Sequence, residues 1–160
     1  MILLLLSTLL IQDKPFPGTD PTEAIAAAQK RAAQENRRVL VLWGANDSEP
    51  SVAAATMLRK DRNASKVVRY EYDLVLADVI HAELAKKVGA DVSKLPWATL
   101  LAADGKPLAN VAAPSDPKAM VELLSKHKAE PLIAKDVLAA AYKRAAGEKK
   151  RILLTFGAPW

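Results

Sequence analysis

Apolar residues along the chain follow two spacings, a three-to-four-residue recurrence typical of helices and short continuous runs typical of buried strands. The recurrence predicts helices at about 20–35, 52–58, 81–88 and 116–127. The runs predict strands at 39–43, 67–74 and 96–101, and a turn at 103–106 leads into a return strand at 107–111. Helices and strands are therefore expected to alternate, as they do in α/β proteins.

Helix ends carry chemical markers in this pattern. Asp20 or Thr22 can cap the first helix, and Pro21 is tolerated in its first turn. Gly89 can end the third helix, because glycine adopts the left-handed conformation that often follows a helix. These markers support the predicted start of the first helix and the predicted end of the third.

A second pattern is an internal match between 25–47 and 138–160 at a constant offset of 113 residues and with no gap. The two segments are identical at 12 of 23 positions. A match of this length across a helical and a strand-like segment predicts two copies of one domain, of which only the start of the second is present. We expect a first domain at 20–128 and the beginning of another at 129–160, including an apolar strand at 152–156.

Each of the two matching strands ends in an aromatic residue and is followed by Gly-Ala and two further residues, at 44–47 and at 157–160. This arrangement resembles the thioredoxin family, in which a strand ends in an aromatic residue and a small pair, and Trp-Cys-x-x-Cys follows at the start of the next helix. The segment 156–160, Phe-Gly-Ala-Pro-Trp, matches this motif up to the Trp. In the first copy the same register places serines at both cysteine positions, so that the degenerate motif is Ser48, Glu49, Pro50 and Ser51.

A second motif supports the resemblance. The family places a cis-proline opposite the cysteine pair, followed by an apolar strand and an Asp-Gly-Lys turn, and here Leu95 and Pro96 are followed by such a strand and by 104–106. Trp97 replaces the usual Thr after the proline, and Leu42 stands where many members bury an Asp. Both departures fit a site without redox activity.

The resemblance implies an α/β fold. We expect a thioredoxin-like three-layer α/β/α sandwich with a mixed central sheet, followed by a helix–strand fragment of a second copy. A cis peptide bond between Leu95 and Pro96 is part of the same expectation.

Composition excludes several kinds of catalytic and metal-binding chemistry in this chain. The 160 residues include no cysteine, which excludes disulfides, thiolate catalysis and sulfur-ligated zinc in this chain. The only histidines, His81 and His127, are far apart in sequence, so no metal site is indicated. His81 is expected to start a helix and His127 to end the last one, and neither place indicates a Ser–His catalytic pair with Ser48. No cofactor is expected.

Net charge is +5, but basic and acidic residues are interspersed and aromatic residues make up 5% of the chain. No recognition motif for nucleic acid occurs, and we expect no nucleic-acid partner.

The N-terminal run at 1–11 is apolar but too short to span a bilayer, and polar residues and prolines follow it. It is typical of the apolar part of a secretory signal, so 1–19 is interpreted as a signal peptide and linker of a secreted or periplasmic protein, with no membrane span after cleavage. A mis-assigned start or a membrane-associated tail are the alternatives.

Two functions follow as hypotheses. The first is the non-catalytic N-terminal half of a tandem protein whose second half carries the thiol–disulfide oxidoreductase activity that the resemblance implies. The alternative is a non-enzymatic module that binds extended peptide or protein segments in the groove beside Leu95, Pro96 and Trp97. A fragment without a separate function is the third interpretation.

Overall fold

The computed structural model describes residues 14–155. The predicted signal segment and the motif at 156–160 lie outside these residues. The helices are α1 (Thr22–Glu35), α2 (Glu49–Lys60), α3 (Arg62–Glu71), α4 (Ala82–Lys87), α5 (Pro117–His127) and α6 (Ala134–Glu148). The strands are β1 (Arg38–Gly44), β2 (Tyr72–Asp78), β3 (Trp97–Leu101) and β4 (Pro107–Ala112).

The four strands form one mixed sheet in the order β2-β1-β3-β4. β1 runs parallel to β2 and antiparallel to β3, and β4 runs antiparallel to β3. The expected α/β sandwich with a mixed central sheet is therefore confirmed.

β1 is the centre of the core, because Val39 to Trp43 are completely buried. Leu40 and Leu42 belong to the cluster on the α2 and α5 side, which includes Leu58 and Leu124. The intervening residues point to the other side, where α1 contributes Ile25, Ala28 and Ala32. A strand covered on both faces is a continuous apolar run in the sequence, which is why this strand was predicted correctly.

A buried polar chain links three strands to the loop after α4. The Trp43 indole Nε1–H donates to Thr99 Oγ1 (3.1 Å), and the Thr99 hydroxyl donates to Asn110 Oδ1 (2.7 Å). Asn110 Nδ2 donates in turn to the Val88 carbonyl (2.9 Å). Every member is satisfied, as buried polar groups require. On the opposite face the Tyr72 hydroxyl donates to the Leu124 carbonyl (2.7 Å), and burial raises the pKa of Tyr72.

The predicted strand at 67–74 is wrong. Helix α3 occupies most of that segment, and β2 begins at Tyr72 and continues to Asp78, beyond the end of the predicted strand. The helix starts directly after α2 because the Asp61 carboxylate accepts hydrogen bonds from the amides of Asn63 and Ala64. Val67 and Val68 are β-branched neighbours, which favoured a strand in the sequence, but the cap and the packing of Val68 in the core stabilise a helix.

The segment before α1 is anchored across the end of β1. The Phe16 ring is buried in the core, and the side chain of Asn46 both accepts from the Phe16 amide (3.1 Å) and donates to its carbonyl (2.7 Å). A Cβ at Gly44 would overlap the Phe16 ring, so glycine is required there by close approach. No sequence pattern indicated this contact.

The C-terminal part is the least integrated. No residue of α6 is buried, and 151–155 form no strand, so the predicted strand is not formed in the described part of the chain. A strand needs a neighbour for its backbone hydrogen bonds, and none lies beside this segment among residues 14–155. Ala129 is buried and Asn36 Nδ2 donates to the Glu130 carbonyl (2.8 Å), so contacts with α1 and the core extend two residues past 128, the predicted domain boundary.

We predict that Trp43→Phe lowers the free energy of unfolding by about 1–3 kcal/mol, because it removes an indole and leaves Thr99 without its donor. Trp97→Phe is a matched control, since the buried Trp97 Nε1 has no partner within residues 14–155. It should cost less than Trp43→Phe in urea denaturation. An equal loss for both variants would contradict a stabilising role of the Trp43–Thr99 hydrogen bond.

Gly44→Ala is expected to lower the free energy of unfolding by about 1–3 kcal/mol, since the added methyl must displace the Phe16 ring. Gly147→Ala provides the comparison, because open space surrounds that position in α6. Thermal denaturation should show a lower midpoint for the first variant and no loss for the second. A Gly44→Ala protein as stable as the parent would show that Phe16 does not hold this position in solution.

Candidate functional site

The turn after β1 positions the two serines of the degenerate motif. The Ser48 amide donates to the Ala45 carbonyl (3.2 Å), and Ser48 adopts the extended conformation of an N-cap residue of α2. Its Oγ accepts from the Ser51 amide (3.4 Å) and from the Ser51 hydroxyl (2.9 Å). Ser51 is completely buried, whereas Ser48 is half-buried. The two serines therefore form a small hydrogen-bonded pair at the helix N-terminus.

The two residues between the serines suit a helix start. Glu49 is in the first turn, where its negative charge complements the helix dipole, and Pro50 occupies a position that lacks an intrahelical donor in any case. Both are exposed. Within residues 14–155 no group of three or more potential metal ligands occurs. Glu49 is best explained by its place at the helix N-terminus.

Neither histidine supports Ser48 as a nucleophile. His81 Nε2 lies 3.3 Å from the Gly18 carbonyl, with which it can hydrogen-bond. His127 ends α5 near the C-terminal end of α1, and thus at the end of the sheet where β1 begins. Ser48 follows β1 and lies at the opposite end of the sheet. A serine hydroxyl without an adjacent base is a weak nucleophile, so the geometry gives Ser48 a capping role and no hydrolytic one.

The loop before β3 lies at the same end of the sheet as Ser48. Trp43 pairs with Trp97, so the residue after Trp43 and the residue before Trp97 are neighbours at the end of the sheet. The Leu95–Pro96 peptide bond is cis, as the resemblance implied. The sheet register therefore brings Pro96 and the Ser48 turn to one end of the molecule.

Hydrogen bonding around Pro96 is uneven. The Pro96 carbonyl accepts from the Ala113 amide (2.9 Å). The backbone N–H and C=O of Leu95 make no hydrogen bond to any residue in 14–155. The half-buried Trp97 also keeps an unpaired indole N–H among the described residues. Three polar groups at this end of the sheet are thus unused by the rest of the domain.

The loop itself is held by local hydrogen bonds. Gly89 has φ +81°, which favours glycine, and a Cβ at this position would lie 3.0 Å from Asn110 Nδ2. The Ser93 side chain and amide both donate to Asp91, and these bonds lower the pKa of its carboxyl.

Leu42 is completely buried in the apolar cluster beneath α2. It occupies the position where the resemblance leads us to expect a buried Asp in redox-active members. A leucine can neither accept nor release a proton, so this position contributes packing alone.

No helix among residues 14–155 is long and apolar enough to cross a membrane.

Searches against known proteins give a fold and no family. No model of a protein family and no curated protein matches the sequence. Solved structures do match. The chain is similar to the disulphide isomerase from Xylella fastidiosa Temecula1, with a TM-score of 0.64 and 16% identity over 71% of this chain and 96% of that one.

A germline-specific thioredoxin, Deadhead from Drosophila melanogaster, also matches, with a TM-score of 0.49 and 16% identity over 61% of this chain and 89% of that one. At 16% identity the disulphide isomerase match establishes architecture alone. Together with the sheet order and the cis-proline at one end of the sheet, it shows that the chain has a thioredoxin-like fold.

Proposed function

We propose that this chain is a redox-silent thioredoxin-like domain that forms the non-catalytic N-terminal half of a tandem protein. The second half would carry Cys-x-x-Cys and thiol–disulfide oxidoreductase activity. The observation that carries the proposal is the Ser48–Ser51 pair, which occupies the start of α2 where the family has its cysteines. The sequence 156–160 supports the second part, because it matches the family motif up to the Trp.

The absence of cysteine decides the chemistry of the chain itself. Disulfide exchange requires a thiolate that attacks a disulfide sulfur and a second thiol that resolves the mixed disulfide. With no cysteine among 160 residues, neither step is available, and the chain performs no thiol redox catalysis.

The parent protein provides the direct test. The coding region beyond the Trp160 codon should encode Cys-x-x-Cys, and the extended protein should reduce insulin disulfides in the presence of dithiothreitol while the 160-residue chain does not. An extended protein that carries no cysteine pair, or a stop codon after Trp160, would refute the tandem proposal.

A cysteine-restored variant tests whether the site keeps its geometry. We expect Ser48→Cys/Ser51→Cys to form an intramolecular disulfide, because the two side-chain oxygens already lie 2.9 Å apart and small rotations bring sulfurs to bonding distance. The N-terminus of α2 should also lower the pKa of the thiol introduced at position 48 below that of an ordinary thiol.

Insulin reduction by this variant should be measurable but weak, since Leu42 supplies no proton-transfer group. Ser48→Cys/Ser65→Cys is a matched control with the same number of thiols but one of them in α3. Equal activity of the two variants would argue that the Ser48 turn has no residual redox architecture.

A peptide-binding module is the second candidate, and the unpaired backbone of Leu95 favours it. An extended segment can exchange hydrogen bonds with that N–H and C=O, as strands do when they add to an exposed backbone edge. The apolar side chains of Leu95 and Trp97 lie next to it. This candidate needs no chemistry that the chain lacks.

Titration with extended peptides distinguishes the two candidates. If the first domain binds peptides, nuclear magnetic resonance of 15N-labelled protein should show saturable shifts of the Leu95 and Trp97 amides and of the Trp97 indole. Amides of α3, away from this edge, serve as the internal control. Uniform or non-saturating shifts would leave the domain without a peptide groove.

The apolar run at 1–11 also motivates the proposal that the protein is secreted or periplasmic. Intact mass of protein purified from its host should then correspond to a chain shortened within 1–19.

A further inference from the structure

Helix α6 presents an apolar face that no helix or strand of the described residues 14–155 buries. Leu138, Ala141 and Ala145 are its only partly buried residues, and the rest of the helix is exposed. The chain after the helix turns back along it, so that Ile152 and Leu153 join Ala141 and Ala145 around a surface depression of about 530 Å³. Further apolar side chains nearby are exposed, namely Leu132, Ile133, Val137, Tyr142 and Leu154.

This face coincides with the buried face of α1 at the offset of 113 residues. The buried residues of α1 are Ile25, Ala28 and Ala32, and the same positions in α6 are the three partly buried ones. Ile152, partly buried, corresponds to the completely buried Val39 of β1. The buried residues of α1, and Val39, Leu40 and Val41 of β1, thus have apolar counterparts in the C-terminal segment, whereas Thr155 stands in the place of Leu42.

The helix ends are also equivalent. Asn36 and Lys149 both adopt the left-handed conformation, with φ of 54° and 52°. The next amide donates to the fourth carbonyl before the cap in each case, Arg37 to Ala32 and Lys150 to Ala145, both at 2.9 Å. Ion pairs recur as well, Arg37–Glu35 at 2.9 Å and Lys150–Glu148 at 2.7 Å. The segment therefore adopts the α1–β1 turn before any sheet covers it.

One contact of α1 has no counterpart. Arg31 Nε donates to Asp73 Oδ1 (2.8 Å), which joins the helix to β2, and the Asp73 side chain is mostly buried. Arg144 occupies the equivalent position in α6, but no carboxylate within residues 14–155 pairs with it. Among the described residues the helix therefore has the cation of α1 without its acidic partner.

We propose that the Leu138–Ala141–Ala145 face of α6 is a docking surface for the β-sheet of a second thioredoxin-like unit, whose first strand begins at Ile152 and whose second strand presents a carboxylate to Arg144. This inference rests on the proposed tandem organisation and deepens it by naming the surface, the partner and the ion pair. α1 shows how such a face is covered, since it packs on β1 and β2.

Charge disfavours a second copy of α6 as the partner. Residues 134–151 contain six basic and two acidic side chains, so pairing two such helices brings like charges together. A sheet that carries an acid in the place of Asp73 is complementary.

A chimera tests the surface within the first domain, whose sheet is present. Thr22–Val41 is replaced by the sequence of Lys135–Leu154 in the 160-residue chain, which keeps Trp43 and every core residue outside the replaced segment. We expect cooperative thermal unfolding with a midpoint roughly 5–15 °C below the parent, mainly because Gln34 becomes Gly within a helix. A second chimera that retains Gln34 should recover part of the loss.

The ion pair has its own measurement. A double-mutant cycle between the arginine at position 31 and Asp73, with Arg→Gln and Asp73→Asn, should give the same coupling in the chimera as in the parent. No coupling in a folded chimera would overturn the role of Arg144.

One pair of substitutions serves as a matched control with opposite expected outcomes. Glu at the positions of Ala141 and Ala145 should abolish cooperative unfolding of the chimera, where these positions become buried. Ala141→Glu/Ala145→Glu in the unaltered chain should leave the main thermal midpoint within about 2 °C, because no element among residues 14–155 covers this face of α6.

Three results would overturn the proposal. They are failure of both chimeras to fold, destabilisation of the first domain by Ala141→Glu/Ala145→Glu, or a concentration-dependent dimer of the parent that these substitutions abolish, which would make a second copy the partner. Insulin reduction by the extended protein is independent of all three, so failure of the proposed oxidoreductase activity can be distinguished from failure of the docking surface.

Discussion

Burial of β1 on both faces is the constraint on which the rest of the structure depends. A strand without an exposed side chain must be covered by separate layers, and a single sheet with helices on both faces satisfies this requirement. Completely buried residues from Val39 to Trp43 therefore determine where α1 and α2 pack. They also place the indole donor of Trp43 where Thr99 can accept from it, which connects β1 to β3 and β4. This packing also fixes the position of the turn that follows β1.

The candidate site shows how two hydroxyl groups complete the start of a helix. Ser48 caps α2, Ser51 is buried behind it, and Pro96 lies at the same end of the sheet. Hydroxyls in these places satisfy local hydrogen bonds and keep the helix start intact. Leu42 contributes packing to the core below α2, and Trp97 adds an apolar side chain beside the unpaired backbone of Leu95.

Sequence patterns predicted the elements that periodicity and motifs define. The β1 run, the helix after the Ser48 turn and the hairpin around 103–106 all follow from local residues. The α3–β2 segment did not, because Val67 and Val68 fit either structure and the decision came from the Asp61 cap and from burial against α5. The hydrogen bonds between Phe16 and Asn46 could not be predicted from local sequence either, since they join residues 30 positions apart through a side-chain amide. The serine positions were available from register alone, whereas the unpaired groups at Leu95 and Trp97 became visible only when every neighbour was placed.

Lys149 has a consequence for the order in which structure forms. A lysine in the left-handed conformation is less favourable than an asparagine or glycine there, yet two backbone hydrogen bonds from its amide to Ala145 and Ala146 hold it. The turn folds the following residues back onto the helix that has just been made, so helix and strand-to-be meet through contacts only a few residues apart in sequence. Contacts of such low sequence separation close quickly. A growing chain can therefore assemble this corner as soon as these residues emerge from the ribosome, because none of its contacts needs a residue that is distant in sequence.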